Sequence, residues 1–448
     1  MAPNLSGKIA QNDEEPPSSF PGIWKTPSGR ETPFRSGYNW MESKRLDDDI
    51  GNLWRVHDKL YDLTPFIHKH PGGPDWLELT QGTDITEAFE TSHIVNVDLV
   101  EKNLAKFYVQ DATKPRISPY TFKENGFFKT LKKKIAPIMT TVGTGPTNQV
   151  ILMQDGMVAM FLGCMLLGTW LDSTVLKIIS GFFLAVQLIG AHNFFHLKDN
   201  WRKYYFDLGL LSSHEWKITH SLSHHLYPNT LMDIELELFP TYQFLPNRPK
   251  NFILRWYGPV IYSHLLYIVG FWMELGRRIF KIAMGEQKLR VENGIVFLQL
   301  VPLVMIAPTV QAGIWSWIFI HSVASFTFLT QGANAAHHHP DEFHDGDEAR
   351  PDPDFGLCQL DATRDKIGDH HENNLWVILV TFGAHQLHHL FPTICHSKLV
   401  HIKDIFEQTV AEFNESYPRR YQWDMYCGTF NQLARTETKQ KKYGKKRE

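Results

Sequence analysis

The chain has 448 residues, with 45 lysines and arginines against 48 aspartates and glutamates and a formal charge of −3. That length admits two or more domains, and the near-neutral balance gives no support to a nucleic-acid partner. The four cysteines (Cys164, Cys358, Cys395, Cys427) have no metal-ligand spacing and are expected as free thiols, which excludes a disulfide framework. The 23 histidines, many in tight clusters, are the distinctive feature of the composition.

No basic-apolar-small signal peptide opens the sequence. Residues 1–35, with the Pro/Ser-rich "NDEEPPSSFPGIWKTPSGRETPF" from Asn12 to Phe34, are expected to be a mostly disordered leader. Residues 36–113 are soluble in character. They contain "LYDLTPFIHKHPGG" (Leu60 to Gly73) and "DITEAFETSH" ending at His93. Pro71 ends a segment, and Gly72 and Gly73 permit a sharp turn and close approach to a large flat ligand. His70 and His93, separated by two helix-like segments, can bind a haem iron from both faces. Two strong axial ligands leave no open position, so such a haem moves electrons and does not bind oxygen. The run "LWRVHDKLYDLTPFIHKHPGG" followed by His93 resembles cytochrome b5, with Ile94 where that family usually has serine. The resemblance implies a small α+β domain carrying haem b on His70 and His93, with His57 and His68 at the surface.

Residues 114–149 read as a linker and interfacial approach, and a tether raises the effective concentration of an electron donor near its acceptor. "KTLKKK" (Lys129 to Lys134) should stay on the cytosolic side. Although mean hydropathy is −0.27, long apolar runs come next in the chain. Val150 to Leu171 and Val175 to Ala191 are predicted as one transmembrane hairpin, and Ile295 to Pro308 with Ile314 to Gln331 as a second. Both ends of each hairpin would then face the cytosol. Trp256 to Met273 is a fifth apolar stretch, carrying Pro259 and His264.

Three histidine boxes punctuate this region. "AHNFFH" gives His192 and His196, on one helical face at a spacing of four. "THSLSHH" gives His220, His224 and His225, with 220 and 224 expected on one face and 225 pointing roughly 100° away. "GAHQLHHLFP" gives His385, His388 and His389, with 385 and 388 expected together. Neutral imidazole suits iron, zinc and copper. Eight imidazoles exceed the three or four protein ligands of one zinc site and suit two metals. "GANAAHHHP" (Gly332 to Pro340) enters the same surface, so His337, or His338 beside it, is a candidate ninth ligand and Asn334 a candidate support for bound water. Since boxes one and two precede Trp256 to Met273 and the rest come after it, that stretch is expected to lie in the interface or re-enter. A full crossing would put the boxes on opposite sides.

The pattern HX3H, HX3HH, HX2HH resembles the membrane fatty acid desaturase and hydroxylase family, and its fusion to a b5-like module resembles front-end desaturases. The resemblance implies an all-α integral membrane domain over residues 150–430, with two transmembrane hairpins, four spans and cytosolic-face helices. It implies two non-haem irons, dioxygen, an acyl lipid or acyl-CoA substrate, and a b5 reductase as electron donor. The implied reaction is acyl-chain desaturation in lipid metabolism. A lipid hydroxylase is the alternative, and a haem electron-transfer protein with a non-catalytic desaturase-like domain is the alternative of another class. Three positions depart from the front-end pattern: His385 stands where glutamine is usual, Asn193 where aspartate is common, and the second box has one extra residue with Ser221 in place of asparagine.

Lone histidines such as His214, His264, His321 and His401 are expected to be structural. The acidic, turn-rich "HPDEFHDGDEARPDPDFG" (His339 to Gly356) is expected to be a solvated loop, and Trp216 either lines an acyl entrance or packs at the membrane surface. Residues 431–448 form a basic tail. Lys445 and Lys446 resemble a cytosolic dilysine retrieval signal, implying an endoplasmic reticulum membrane protein with a cytosolic haem domain and C-terminus.

Overall fold

The computed structural model describes residues 18–20, 23, 36–237, 242–332, 336–368 and 370–440. Most of the expected leader, Asn334, Lys445 and Lys446 lie outside the described residues.

The N-terminal module begins with helix α1 (Gly37–Asp48), which Ser36 caps by accepting the Asn39 backbone N–H. A three-stranded antiparallel sheet in the order β1-β2-β3 joins β1 (Trp54–Val56), β2 (Lys59–Tyr61) and β3 (Tyr108–Asp111). Between β2 and β3 run a 3-10 turn (Thr64–Lys69) and helices α2 (Pro74–Thr80), α3 (Thr86–Ser92) and α4 (Val97–Leu104). Gly73 precedes α2 at φ +101°, a backbone that favours glycine, and Pro74 starts the helix where a missing N–H costs nothing. Trp54, Leu77, Ile85 and Phe89 fill the small core of this module.

Helix α5 (Phe127–Val142) comes next. Phe127, Phe128, Leu131, Ile135 and Met139 recur at helical spacing and are all buried, so the expected approach segment is a packed amphipathic helix. Helices α6 (Asn148–Trp170) and α7 (Thr174–His196), capped by Thr147 and Ser173, make the first hairpin. A 3-10 segment (Trp201–Leu208), helix α8 (Ser213–Trp216) and a π-helix (Lys217–His224) lead on from it. Next come α9 (Phe252–Arg255), α10 (Gly258–Ala283), α11 (Leu300–Ile306) and α12 (Val310–Gly332). Short helices α13 (Phe355–Ala362), α14 (His370–Asn373), α15 (Leu375–Val380) and α16 (His385–Leu390) lead to α17 (Lys403–Glu412) and α18 (Gln422–Ala434).

Among the described residues three helices, α6, α7 and α12, are long and apolar enough to cross a membrane. The expected span from Ile295 to Pro308 is not one long α-helix. A 3-10 stretch (Val291–Gln299) runs into α11, where Pro302 has no N–H to give. Helix α10 is continuous, and each end is tied to another part of the fold. His264 lies 2.6 Å from the Tyr426 hydroxyl near one end, and Arg278 pairs with Glu215, just before box two, at 3.0 Å near the other. Between these ends α10 packs along α12, with Trp272 donating to Ser322 Oγ and the Phe271 N–H to Ser325 Oγ, both at 3.0 Å. Ile261 and Leu265 are exposed on its outer face, which suits lipid contact.

One further expectation does not hold. The acidic segment from His339 to Gly356 is not a solvated loop, because its charges are partnered inside the fold. Glu342 pairs with Arg364, Arg350 with Asp361 and Glu415, and Asp347 with Arg435, while Asp354 caps α13. Glu342, His344 and Asp345 are fully buried. The described part of the leader is likewise packed. Ser18 donates to Asp345 at 2.8 Å, Ser19 N–H donates to the same carboxylate at 2.7 Å, and Phe20 and Ile23 enter the main core. Composition reports polarity but not whether distant partners exist.

Candidate metal centre and haem site

In the N-terminal module His70 Nδ1 lies 3.0 Å from Gly73 O and His93 Nδ1 2.9 Å from Phe89 O. Carbonyl acceptors fix the proton on Nδ1, so each Nε2 keeps its lone pair. The two ring centroids lie 6.4 Å apart, with the ring planes at 68° to one another. Two metal–nitrogen bonds of about 2 Å fit that gap, and the residues therefore suit a haem iron. Burial lowers the pKa of both, His93 to about 4, which keeps them neutral and able to ligate. A Cβ on Gly72 would come within 2.8 Å of the His70 ring, so that turn needs glycine. His57 is partly exposed and pairs with Glu90 at 2.8 Å.

All nine imidazoles singled out in the membrane part meet in one buried cluster, and they sort into two groups. His192, His196, His220, His225 and His388 bring ring nitrogens within 4.8 Å of one another, and so do His224, His337 and His389. His385 joins the second group, its Nε2 2.6 Å from His337 Nε2.

Local backbone explains the sorting. Box one occupies the last turns of α7. Box two lies in the π-helix, where His225 N–H donates to His220 O, five residues back, at 2.8 Å. The wider turn brings His220 and His225 together, their Nε2 atoms 3.0 Å apart, and sends His224 to the second group. His220 and His224 nevertheless share a face, as their spacing of four leads one to expect, with rings stacked at 5.3 Å between centroids and ligand atoms grouped with Glu235. In α16 His385 sits nearer His389 (ring centroids 4.7 Å) than His388 (6.2 Å), so the expected pairing of 385 with 388 gives way.

The outer contacts fix which nitrogen faces inward. His220 Nδ1 lies 2.8 Å from Glu235, His224 Nδ1 2.9 Å from Asp233, and His337 Nδ1 3.0 Å from Ala362 O. Lone pairs on Nε2 then converge, with His224 and His337 only 3.1 Å apart. Such an arrangement needs a proton or a cation between the rings. The donor set, five nitrogens and then four in two adjoining groups, fits two metal ions held mainly by imidazole. Burial opposes charge on His224, but Asp233 and Glu235 outweigh it and raise its pKa to about 9. The field at this position thus favours positive charge. Burial lowers the pKa of His220, His225, His337, His385, His388 and His389.

The haem module is docked on this cluster. Thr393, four residues past His389, donates to Ser92 O, beside His93, at 3.2 Å. Asp75 pairs with Lys217 at 2.5 Å and Lys203 at 3.4 Å, and Glu90 with Lys132 at 2.8 Å and Lys129 at 2.6 Å. Trp40 of α1 donates to Met232 O, next to Asp233, at 3.0 Å.

Residues 39–113 match the family model for the cytochrome b5-like heme/steroid binding domain, and residues 168–421 match that for fatty acid desaturase. The chain belongs to the fatty acid desaturase family. It is 36% identical to the cytochrome b5-related protein of Drosophila melanogaster over 92% of this chain and 95% of that one. It is 23% identical to acyl-lipid (8-3)-desaturase B of Dictyostelium discoideum over 85% and 90%, and 26% identical to the acyl-lipid (8-3)-desaturase of Mortierella alpina over 43% and 47%. No solved structure matches.

Within this b5-fused family member the structure also reveals contacts that spacing did not. His396 Nε2 lies 3.0 Å from His388 Nδ1, and Gln359 accepts from His389 Nδ1 at 3.1 Å while donating to His225 O at 3.1 Å. Asn229 donates to His337 O at 2.9 Å. The sequence signal for Asp233 and Glu235 was their place in "DIELE", just after box two; His396 and Gln359 stand alone. Trp216 stacks on His220, ring centroids 5.1 Å apart, and packs on Phe206 and Phe328. The lone histidines stay outside the cluster: His214 stacks on Tyr38, and His401 is exposed. His338 stacks on Phe244 at 3.9 Å and is absent from both groups.

Proposed function

We propose that the chain is a lipid oxidoreductase that desaturates an acyl chain, with His192, His196, His220, His224, His225, His337, His385, His388 and His389 holding two irons and His70 and His93 holding haem b. The observation that carries this reading is the buried cluster in which nine imidazoles form two adjoining groups, with the segment after box three bonded to Ser92 beside His93. Two irons bound there would supply dioxygen-dependent oxidation of an unactivated carbon, fed by single electrons through a bis-histidine haem.

The chain's own residues divide the remaining work. Asp233, Glu235, Gln359 and His396 orient the ring nitrogens from outside, as partners of metal-bound histidines do. Phe195, Phe206 and Phe328 pack beside box one and Trp216 and would help keep water from that side of the cluster. Asp75 and Glu90 hold the haem module in place, so the donor stays next to the acceptor without a diffusional search. Apolar α6, α7 and α12 support a membrane location, which we assign to the endoplasmic reticulum with the haem domain and C-terminus cytosolic, served there by a b5 reductase.

Expression in a host lacking such enzymes, followed by lipid profiling, tests the reaction. New double bonds are expected. Hydroxylated chains would instead make it a hydroxylase. No new lipid, with two irons per haem in the purified protein, would favour the electron-transfer reading.

A further inference from the structure

The turn from Asn229 to Asp233 supports two of the histidines at once. Asp233 Oδ2 lies 2.9 Å from His224 Nδ1 and accepts the Asn229 backbone N–H, also at 2.9 Å. The Asn229 side chain donates to His337 O at 2.9 Å. His224 and His337 belong to the second histidine group, so one short turn reaches two of its members. Outer partners of this kind govern how tightly a metal is held.

Asp345 grips that turn from the other side. Its backbone N–H donates to Asn229 O at 2.9 Å, and its Oδ2 accepts the Leu231 N–H at 3.1 Å. Asp345 is fully buried, and a buried carboxyl group needs its oxygens satisfied. Further donors arrive from 327 and 326 residues away. The Ser18 hydroxyl donates to Oδ2 at 2.8 Å, and the Ser19 N–H donates to Oδ1 at 2.7 Å. Ser19 Oγ accepts the Gly346 N–H at 2.7 Å, which ties the same segment to the residue after Asp345. Phe20 anchors it. Its buried ring lies 4.9 Å from Phe343 and 5.7 Å from Tyr120 between centroids, and Tyr120 stacks on Tyr227, just before the turn.

We propose that Ser18, Ser19 and Phe20 form a positioning strap for the second histidine group, acting through Asp345 on the turn from Asn229 to Asp233. The proposal rests on the metal reading of that group. The strap precedes the haem module in the chain, yet its bonds go to the domain that carries the boxes. Its effect is selective. It reaches His224 and His337, whereas His192, His196, His220, His225 and His388 belong to the other group. Releasing it should therefore free one of two metal ions before the other.

The test uses the full-length protein in phosphatidylcholine nanodiscs, with two readouts: iron per haem during titration with EDTA, and hydrogen exchange of residues 229–233. Phe20→Ala removes the anchor, and Ser18→Ala with Ser19→Ala removes both hydroxyls. Each should speed exchange of the turn about tenfold and release one of the two irons at about tenfold lower EDTA, with the haem spectrum unchanged. Ser18→Thr with Ser19→Thr restores the hydroxyls and should behave as wild type. Ile23→Ala, which takes packing from the main core but no bond from Asp345, should also retain both irons. Iron retention equal to wild type in both the Phe20 and the paired alanine variants would overturn the strap. So would equal iron loss in Ile23→Ala, because packing alone would then explain the effect. Should Phe20→Ala fail to fold, the paired serine variants decide. Wild-type protein without non-haem iron would sink the metal reading alone, and exchange of the turn would then decide the strap.

Discussion

Thr393 donates its hydroxyl to the backbone carbonyl of Ser92 across 3.2 Å. The two residues are 301 apart in sequence. One adjoins His93 and the other comes four positions after the last box-three histidine, so this hydrogen bond ties the N-terminal module to the segment that follows box three. Thr393→Val keeps the shape and removes the donor. The expected cost is about 1 kcal/mol of docking, seen as faster proteolysis of the linker before α5 with an unchanged haem spectrum. A cleavage rate equal to wild type would mean that the bond does not hold the module.

The ion pairs of Asp75 should matter more. Burial opposes its ionisation, but Lys217 and Lys203 outweigh that and lower its pKa to about 2 from 3.8. A carboxylate with a lowered pKa contributes stability that is complete above its unfolded value and is lost as pH falls through the folded one. The Asp75 contribution to docking should therefore be constant from about pH 5 upward and fade between about 4 and 2. Asp75→Asn removes it at every pH and leaves the buried Lys217 unpaired, at a cost of about 2 kcal/mol or more. Linker proteolysis at pH 7 should rise in the variant, and the difference from wild type should shrink in acid.

How far the sequence leads can be judged residue by residue. The box histidines were legible because ligand type and close spacing reveal themselves without knowing the fold, and His70 and His93 because glycines and proline mark the turn between them. Their sorting was not legible. It depends on the π-turn of box two, and no spacing rule separates five residues of π-helix from four of α-helix. His396 and Gln359 act through contacts made only once the chain has folded, so their sequence neighbours say nothing of them. The burial of Glu342 and Asp345 was hidden for the same reason: their partners Arg364, Ser18 and Ser19 lie up to 327 residues away. The span from Ile295 to Pro308 failed to form one long α-helix because apolar content alone does not register what Pro302 does to backbone bonding.

Asp233 offers a test of the outer contacts that leaves every ring nitrogen in place. Asp233→Asn keeps the size but removes the negative charge beside His224 Nδ1. Loss of such an outer partner typically weakens metal binding about 10–100-fold. The purified variant should lose iron to a chelator at concentrations that leave wild type loaded, while its haem content stays the same. Retention of iron equal to wild type would show that Asp233 serves only the fold, since it also accepts the Asn229 backbone N–H at 2.9 Å.

The second box permits a sharper experiment. It has one residue more than the front-end pattern, and the π-helix absorbs that residue: the His225 to His220 bond spans five positions where an α-helix would span four. Removing Ser221 should convert the turn to α-helical pitch and keep the two outer histidines of the box, His220 and His225, on one face. Ser221 is the residue to remove because Leu222 packs in the main core and Ser223 bonds to Met232 O and Ile234 N–H, whereas Ser221 makes one long contact of 3.4 Å to His196. The deletion is expected to keep two non-haem irons per haem. Inserting an alanine after Ser221 should instead rotate His224 and His225 by about 100° relative to His220 and empty at least one group. Iron analysis of both purified variants, with haem as the internal standard, decides between a turn that merely tolerates the extra residue and one that requires it. Loss of iron on deletion would show that the wide turn itself sets the spacing of the two groups.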